Sequence, residues 1–274
     1  MTAAPGIFQR GSWVAGKPLM KKIRPLMSIC RALRRVYLWT RYISDYRTFR
    51  RLSARGGSRF RLQWRDRHPC LGDGTSDTGF DAHYIYHPAW AARILARTKP
   101  ECHVDVSSSL HFCTLVSAFV PVRFFDYRPA DIRLANLETG RVDICALPFA
   151  DGSVPSLSCM HVVEHIGLGR YGDPLDPEGD LRAISELKRV LAHGGDLLLV
   201  VPVGKPRIMF NAHRIYSYEQ IVGYFHGLEL LDFSLVPDDA VKGGLIGNAS
   251  PEMADGQTYG CGCFWFRKTE SGQK

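Results

Sequence analysis

The segment His161-Val-Val-Glu164-His165 packs two imidazoles and a carboxylate into a single short stretch. In H-x-x-E-H spacing on a helix, the two rings lie one turn apart and could share a divalent metal, with the glutamate as base. The surroundings argue otherwise. The run from Ser156 reads as a strand ending at about His161, and Gly167 and Gly169 cut short any helix after it. No third ligand is identifiable, so no metal is assigned. A second stretch is Cys102–Val120, CHVDVSSSLHFCTLVSAFV. An apolar run holding Asp105 stops at Ser107, Ser108 and Ser109, and a helical pattern follows. Such a turn offers a ligand free N–H groups and the positive end of a helix dipole. Asp105 falls at the carboxyl end of its strand, where open α/β sheets bind ligands. A serine-rich turn that only caps a helix reads the same.

The elements that must position these groups follow in order. Val122–Asp126 is a second strand, ending in an acid 21 residues beyond Asp105. That spacing suits a carboxylate accepting ribose hydroxyls in a Rossmann-type site. A third strand is expected over Arg141–Phe149, and a fourth over Ser156–His161, with Pro155 allowed at its start. A Gly/Pro loop from Gly167 leads to helix Glu178–Ala192, closed by Gly194-Gly195. Asp196–Val203 is continuously apolar, as expected of a strand covered on both faces. Helix Tyr218–Phe225, strand Leu228–Val236, a Gly-rich excursion over 242–257 and strand Thr258–Lys268 complete the pattern. The last two strands have no helix between them, so they should pair antiparallel. The expected class is α/β: a mostly parallel sheet with a C-terminal antiparallel hairpin and helices on both faces.

Ahead of this body, Pro69–Pro88 is dense in acids, imidazoles and phenols, among them Asp73, Asp77, Asp81, His83, Tyr84 and His87. It reads either as a lid or acceptor pocket or as a loop of self-satisfied Asx-turns. Pro88 is expected to start a short helix, Ala89–Thr98, with Trp90, Ile94 and Leu95 inward. Residues 1–67 hold 17 of the 35 Lys+Arg but only Asp45 and Asp66 as acids, a net of +15; the remainder carries a net of −7. Residues 1–25 read as a poorly ordered leader. Leu26–Leu52 is amphipathic, with Leu26, Ile29, Cys30, Leu33, Val36 and Tyr37 on one stripe, continued by Trp39, Tyr42, Ile43, Tyr46 and Phe49, and arginines elsewhere. Such a helix could lie in a membrane interface or pack on a protein surface. The division is therefore a basic helical extension, 1–67, and a body, 68–274. Eight cysteines show no CxxC pair, and Cys261 and Cys263 share a strand face, a packing arrangement rather than a metal site. No run nears the ~18 apolar residues of a membrane helix, and the first residues lack the apolar stretch of a secretory signal. A reduced, cytoplasmic protein is expected.

Three stretches now stand in a telling order: ALPFADGSVPSLSCMHVVEHIG, ELKRVLAHGGDLLLVVP and HRIYSYEQI. Together they resemble the class I S-adenosylmethionine-dependent methyltransferases, over roughly Trp90–Lys268. HVDVSSSLHF, FFDYRP, EHIGLGRYGD and FNAHRIYS look closer still to an uncharacterised methyltransferase-like family of unknown function, whose members often accompany bacterial surface-polysaccharide genes. The resemblance implies a Rossmann-like fold and S-adenosylmethionine as cofactor. It assigns Asp105 to the donor's methionine end, Asp126 to the ribose, and Asp143 with the following backbone to Leu147 to the adenine. Ser107 and Ser109 stand where the family has glycines, and Pro155 replaces an acid. His161 would end the fourth strand beside the sulfonium. An oxygen acceptor needs a base, for which His161, Glu164, His165 and His213 are the candidates. Asp81, His83, Tyr84, Arg170, Tyr171, Asn211 and Arg214 would meet the acceptor, with Asn211 as a positioning donor. The reading is O-methylation of a glycan or glycolipid precursor, with the basic helix at the inner membrane surface. Its alternatives are an inactive methyltransferase-shaped scaffold and a zinc hydrolase through H-x-x-E-H. A nucleic-acid partner is disfavoured by the acidic body and the few aromatics outside the apolar stripe.

Overall fold

The computed structural model describes residues 17–56 and 59–269, with side chains from residue 28 onward except 241 and 242. The expected leader falls largely outside these residues. The chain forms two compact units, Met1–Gly79 and Phe80–Lys274.

The first unit is built on α1 (Lys17–Arg55), a single 39-residue helix that begins well before the expected Leu26. Pro18 stands in its first turn, where the missing N–H costs no helical bond. A 3-10 turn, Trp64–Asp66, follows. The Trp64 ring meets Tyr46 edge-on at 4.9 Å and Tyr42 at 6.2 Å, with Arg67 over it at 4.9 Å. Ile29, Leu33, Val36 and Tyr37 are exposed. No helix among the described residues is long and apolar enough to cross a membrane.

The second unit opens with α2 (Ala82–Thr98). It starts six residues before Pro88, which lies inside it, because the Asp81 carboxylate accepts the Tyr84 N–H and caps the first turn. The polar stretch is thus split: its end is helix, and His83, Tyr84 and His87 stand on that helix. Then come β1 (His103–Val106), α3 (Leu110–Val116), β2 (Val122–Asp126) and β3 (Leu137–Arg141). The expected third strand is displaced. Val142 and Ile144 are buried in alternation and so imitate one, but Asp143 accepts the Cys145 N–H at 2.9 Å and bends the chain away. β4 (Val154–Met160), α4 (Gly179–Val190) and β5 (Leu191–Val203) follow. Gly194-Gly195 does not close α4 but sits within β5, opposite Pro155, where the β4–β5 register shifts between Val154 and Ser156. A Cβ at Gly195 would come 2.8 Å from the Ala192 carbonyl and 3.0 Å from that of Pro155. A small unforeseen hairpin, β6 (Arg207–Met209) and β7 (His213–Ile215), precedes α5 (Tyr218–Tyr224), which Ser217 and Gln220 close with a capping box. β8 (Glu229–Val236), the short helices α6 (Ala240–Gly243) and α7 (Pro251–Asp255), and β9 (Gly260–Arg267) end the fold.

The seven-stranded sheet runs β3-β2-β1-β4-β5-β9-β8, parallel except where β9 pairs antiparallel with both β5 and β8. Strand alternation builds both cores. Leu197, Leu199 and Val201 of β5 face Ile184, Leu187 and Ile221 of α4 and α5; Leu198 and Val200 face Trp90, Leu95 and Phe112 of α2 and α3. The expected sheet is therefore the observed one, with one correction: the excursion between β8 and β9, expected to hold no helix, carries α6 and α7, which are too short to cross the sheet and leave the antiparallel pairing intact.

Candidate functional site

The carboxyl ends of β1, β2 and β4 turn over one cleft of about 270 Å³. Ser107, Asp126, Asp143, His161 and His165 line it, joined by Tyr171. Three of the expected site residues hold a left-handed backbone: Ser107 (φ 58), His161 (φ 58) and Asn211 (φ 61). A non-glycine residue there costs roughly 1–2 kcal/mol, and such strain gathers at functional sites. Backbone bonds hold it in place: Ser107 N–H donates to Phe125 O at 2.7 Å and His161 N–H to Val200 O at 2.8 Å.

The serines of the β1–α3 turn are tied to the frame. Ser109 caps α3 by accepting the Phe112 N–H, and Ser108 Oγ accepts the Met160 N–H at 3.1 Å. Ser107 alone of the three borders the cleft, with its hydroxyl directed to Phe125 O at 3.3 Å. Asp126 accepts the Arg128 N–H with one oxygen, as Asp143 does that of Cys145. Asp105 lies beneath the cleft, fully buried, accepting the Ser108 N–H and the Ser158 hydroxyl. Burial pushes its carboxyl up to about 6. Leu147 is buried outside the cleft, its N–H donated to Glu186 at 2.7 Å.

Around His161 the cleft adjoins a pocket of aromatic and imidazole rings. His83 and Tyr84 of α2 stack near His161 at 5.5 and 5.7 Å, and His87 meets it edge-on at 5.1 Å. Tyr259 links His83 at 5.2 Å to His213 at 4.8 Å. Glu164 is fully buried beneath these rings, and His161 Nδ1–H donates to its Oε1 at 2.9 Å. Burial works to raise the Glu164 carboxyl, but that hydrogen bond and the neighbouring imidazoles outweigh it and hold it low. Burial holds His83 and His213 down at about 4, and His87 well below its ordinary value. Glu164 is therefore ionised at neutral pH, and His83, His87 and His213 are uncharged. Buried nitrogens without a hydrogen-bond partner among the described residues are His87 Nε2, His161 Nε2 and His213 Nε2.

The H-x-x-E-H segment forms no helical metal face. His161 is left-handed, Val163–His165 is a 3-10 turn, and His165 Nδ1–H donates away to Ala212 O at 2.6 Å. Arg170 donates to the same carbonyl at 3.1 Å. Asn211, at the β6–β7 tip, donates to Leu168 O at 3.3 Å. Arg214, expected to meet an acceptor, is instead buried and directed at the frame. It donates to Ile166 O at 2.6 Å and Pro177 O at 3.0 Å, with Asp180 at 3.5 Å. Asp81 likewise serves as a cap. Sequence reasoning missed Asp173, which gathers the N–H groups of Gly167, Gly169 and Tyr171 and so shapes the Gly/Pro loop. It also named His87 only within the polar stretch Pro69–Pro88 and did not name Tyr259, both of which stand in the ring pocket. The i,i+4 spacing of His83 and His87 was available once Asp81 is read as a cap; nothing local marks Tyr259.

The family described as "Caenorhabditis protein of unknown function, DUF268" matches residues 153–240, the stretch from β4 to the start of α6 that carries His161, Glu164, His165 and His213. No curated protein matches the chain. Among solved structures, the chain is similar to the N-methyltransferase NodS from Bradyrhizobium japonicum WM9, solved with S-adenosyl-L-homocysteine. The two are 13% identical with a TM-score of 0.50, over 74% of this chain and 92% of that one. The Burkholderia thailandensis 1,6-didemethyltoxoflavin-N1-methyltransferase is 10% identical with a TM-score of 0.48, over 71% of this chain and 93% of its own. The fold is that of the class I methyltransferases.

Proposed function

We propose that the chain is an S-adenosylmethionine-dependent methyltransferase acting on an oxygen acceptor. The observation that carries this reading is the meeting, at His161, of two differently built compartments: a cleft rimmed by Ser107, Asp126 and Asp143, and a buried pocket of imidazoles and phenols. The residues present fit the donor. The serines that replace glycine direct two of their three side chains into the frame, and Asp126 and Asp143 stand at the ends of β2 and of the segment after β3. Ser107 with its turn would hold the donor's amino-acid end, Asp126 the ribose hydroxyls, and Asp143 with Cys145 the adenine. When bound, the donor supplies an electrophilic methyl group on a sulfonium.

The chain's own residues then have to hold an acceptor oxygen in line and take its proton. Among the described residues His161 Nε2 and His213 Nε2 have no hydrogen-bond partner and can take that proton, and Glu164 fixes the His161 ring. Arg170, Tyr171 and Asn211, beside the pocket, suit a polyhydroxylated acceptor. A hydroxyl of a glycan or glycolipid precursor is the substrate class we favour, in keeping with the family resemblance. We further propose that the enzyme works at the cytoplasmic face of a membrane, touched by the basic helix α1.

Calorimetric titration with S-adenosylmethionine and S-adenosylhomocysteine tests the reading. Binding that disappears in Asp126→Ala supports it. A folded protein that binds neither would overturn it in favour of a methyltransferase-shaped scaffold.

A further inference from the structure

We infer that His83, His161 and Cys261 form a zinc site in the imidazole pocket. Their ligand atoms come from three separate elements, the first turn of α2, the residue after β4 and the second residue of β9, yet all lie within 4.8 Å of one another. The metal-binding part of this inference stands on that geometry alone; its catalytic consequence rests on the methyl-transfer reading above.

The His161 imidazole is arranged as that of a metal ligand is. A ligating histidine commonly directs its other ring nitrogen to a carboxylate or backbone carbonyl, which fixes tautomer and ring orientation. His161 does so through Nδ1–H to Glu164, which leaves one ring nitrogen for a metal. That atom is Nε2, on a side chain only 4% exposed and without a hydrogen-bond partner among the described residues. An unpartnered buried imidazole nitrogen is costly to leave so, and a cation satisfies it. Cys261 is fully buried, and its thiol makes a weak contact with Cys263 Sγ at 4.0 Å.

Two nitrogens and one sulfur are a zinc donor set, borderline in softness and suited to tetrahedral geometry. Zinc–nitrogen and zinc–sulfur bonds put ligand atoms about 3.3–3.6 Å apart, so the trio must draw in by about an ångström. His83, half-buried at the start of its helix, is the ligand with room to do so. On binding, the Cys261 S–H bond breaks, its proton leaves to solvent, and a sulfur–zinc bond forms. Glu164, behind His161, offsets part of the remaining positive charge. Three protein ligands leave the fourth position open, as in catalytic zinc sites. An acceptor hydroxyl bound there would lose its proton more readily, with His213 Nε2 left to receive it, since His161 would then be engaged on the metal. No local motif announces these ligands, because the sequence scatters them over almost the whole second unit.

The full chain, purified without chelator, should carry one equivalent of zinc by mass spectrometry. After zinc removal, cobalt(II) should bind with a thiolate-to-cobalt charge-transfer band. That band should vanish in Cys261→Ser and weaken in His83→Asn, and persist in Cys102→Ser. The half-buried His83 position guards against misfolding of the buried cysteine variant. Substoichiometric metal, or a cobalt spectrum without a thiolate band or unchanged in both ligand variants, would overturn the site. Donor titration on the same samples keeps the two readings apart. Zinc without donor binding would sink methyl transfer alone, and donor binding without zinc would sink only the metal site.

Discussion

The Nδ1 of His161 lies 2.9 Å from Oε1 of Glu164, and both side chains are almost wholly removed from solvent. The pair joins the two compartments. His161 borders the donor cleft and faces the histidine pocket, and Glu164 sets which of its nitrogens stays free. The left-handed backbone at His161 turns the ring back toward Glu164, three residues on, instead of continuing β4.

Glu164→Ala strands the buried His161 N–H and should cost about 1–3 kcal/mol in urea unfolding, the range for leaving a buried donor unsatisfied. Glu164→Gln should cost much less, because an amide oxygen can still accept the His161 N–H. The Gln variant should bind the donor as the parent does yet transfer methyl groups roughly 10²-fold more slowly or worse. Equal stability of the two variants would remove Glu164 from its orienting role.

Ser107 carries a positive φ, a conformation that glycine adopts without strain. Ser107→Gly relieves that conformation and gives up only a 3.3 Å hydroxyl contact to Phe125 O. It should raise stability by up to about 1 kcal/mol and leave donor affinity equal or tighter. Ser107→Val, stiff at Cβ and intolerant of this φ, should destabilise the protein. Thermal melts with calorimetry on both variants decide the matter, and a destabilised glycine variant would show that the hydroxyl matters more than the strain.

The sheet was legible because its signals are redundant. Strand runs such as Leu197–Val203, the cap at Ser109, and the lack of a crossover helix as long as α4 between the last two strands all agree. Errors arose where local patterns compete. Val142 and Ile144 alternate as a strand would, but the Asp143 turn prevails, and Pro88 reads as a helix start unless Asp81 is taken as the cap. At the site, residues adjacent in sequence to strand ends, such as Asp126 and His161, could be placed on the cleft. Cys261 and Tyr259 could not, since only the β5–β9 pairing brings them across the sheet to His161. Arg214 misled for the opposite reason: a charge in a polar loop reads as exposed until its carbonyl partners are seen.

Beneath the cleft, His103 bridges Ser156 and Ser158 at 2.8 Å each, and Ser158 donates to Asp105. Burial raises Asp105 from 3.8 to about 6 and lowers His103 from 6.5 to about 3. The signs oppose. The Asp105 contribution is lost as pH rises from 3.8 to 6; the His103 contribution is lost as pH falls from 6.5 toward 3. Within the shared window the two slopes partly cancel. Asp105→Asn removes only the first, so its stability relative to the parent should climb between pH 4 and 6.5, toward about 3 kcal/mol. The amide can still accept from Ser108 and donate to Ser158, with the His103 tautomer reversed. Melting temperatures of the two proteins that run parallel across this range would refute the assignment.

The last prediction concerns α1, whose exposed Ile29, Leu33, Val36 and Tyr37 share a stripe at i, i+4, i+7 and i+8 between arginines 31, 34, 35 and 41. Such a face suits an anionic bilayer surface: the apolar residues enter the headgroup boundary, and each arginine near the surface adds about 1 kcal/mol. The full chain should therefore sediment with phosphatidylserine-containing vesicles and not with purely zwitterionic ones. Binding should weaken steeply as added salt shortens the Debye length. Leu33→Glu with Val36→Glu should abolish it while leaving the donor titration of the second unit unchanged. Vesicle binding that survives both high salt and the double variant would move the contact away from this helix. Indifference to lipid charge would remove the electrostatic part of the argument and return α1 to a role in packing.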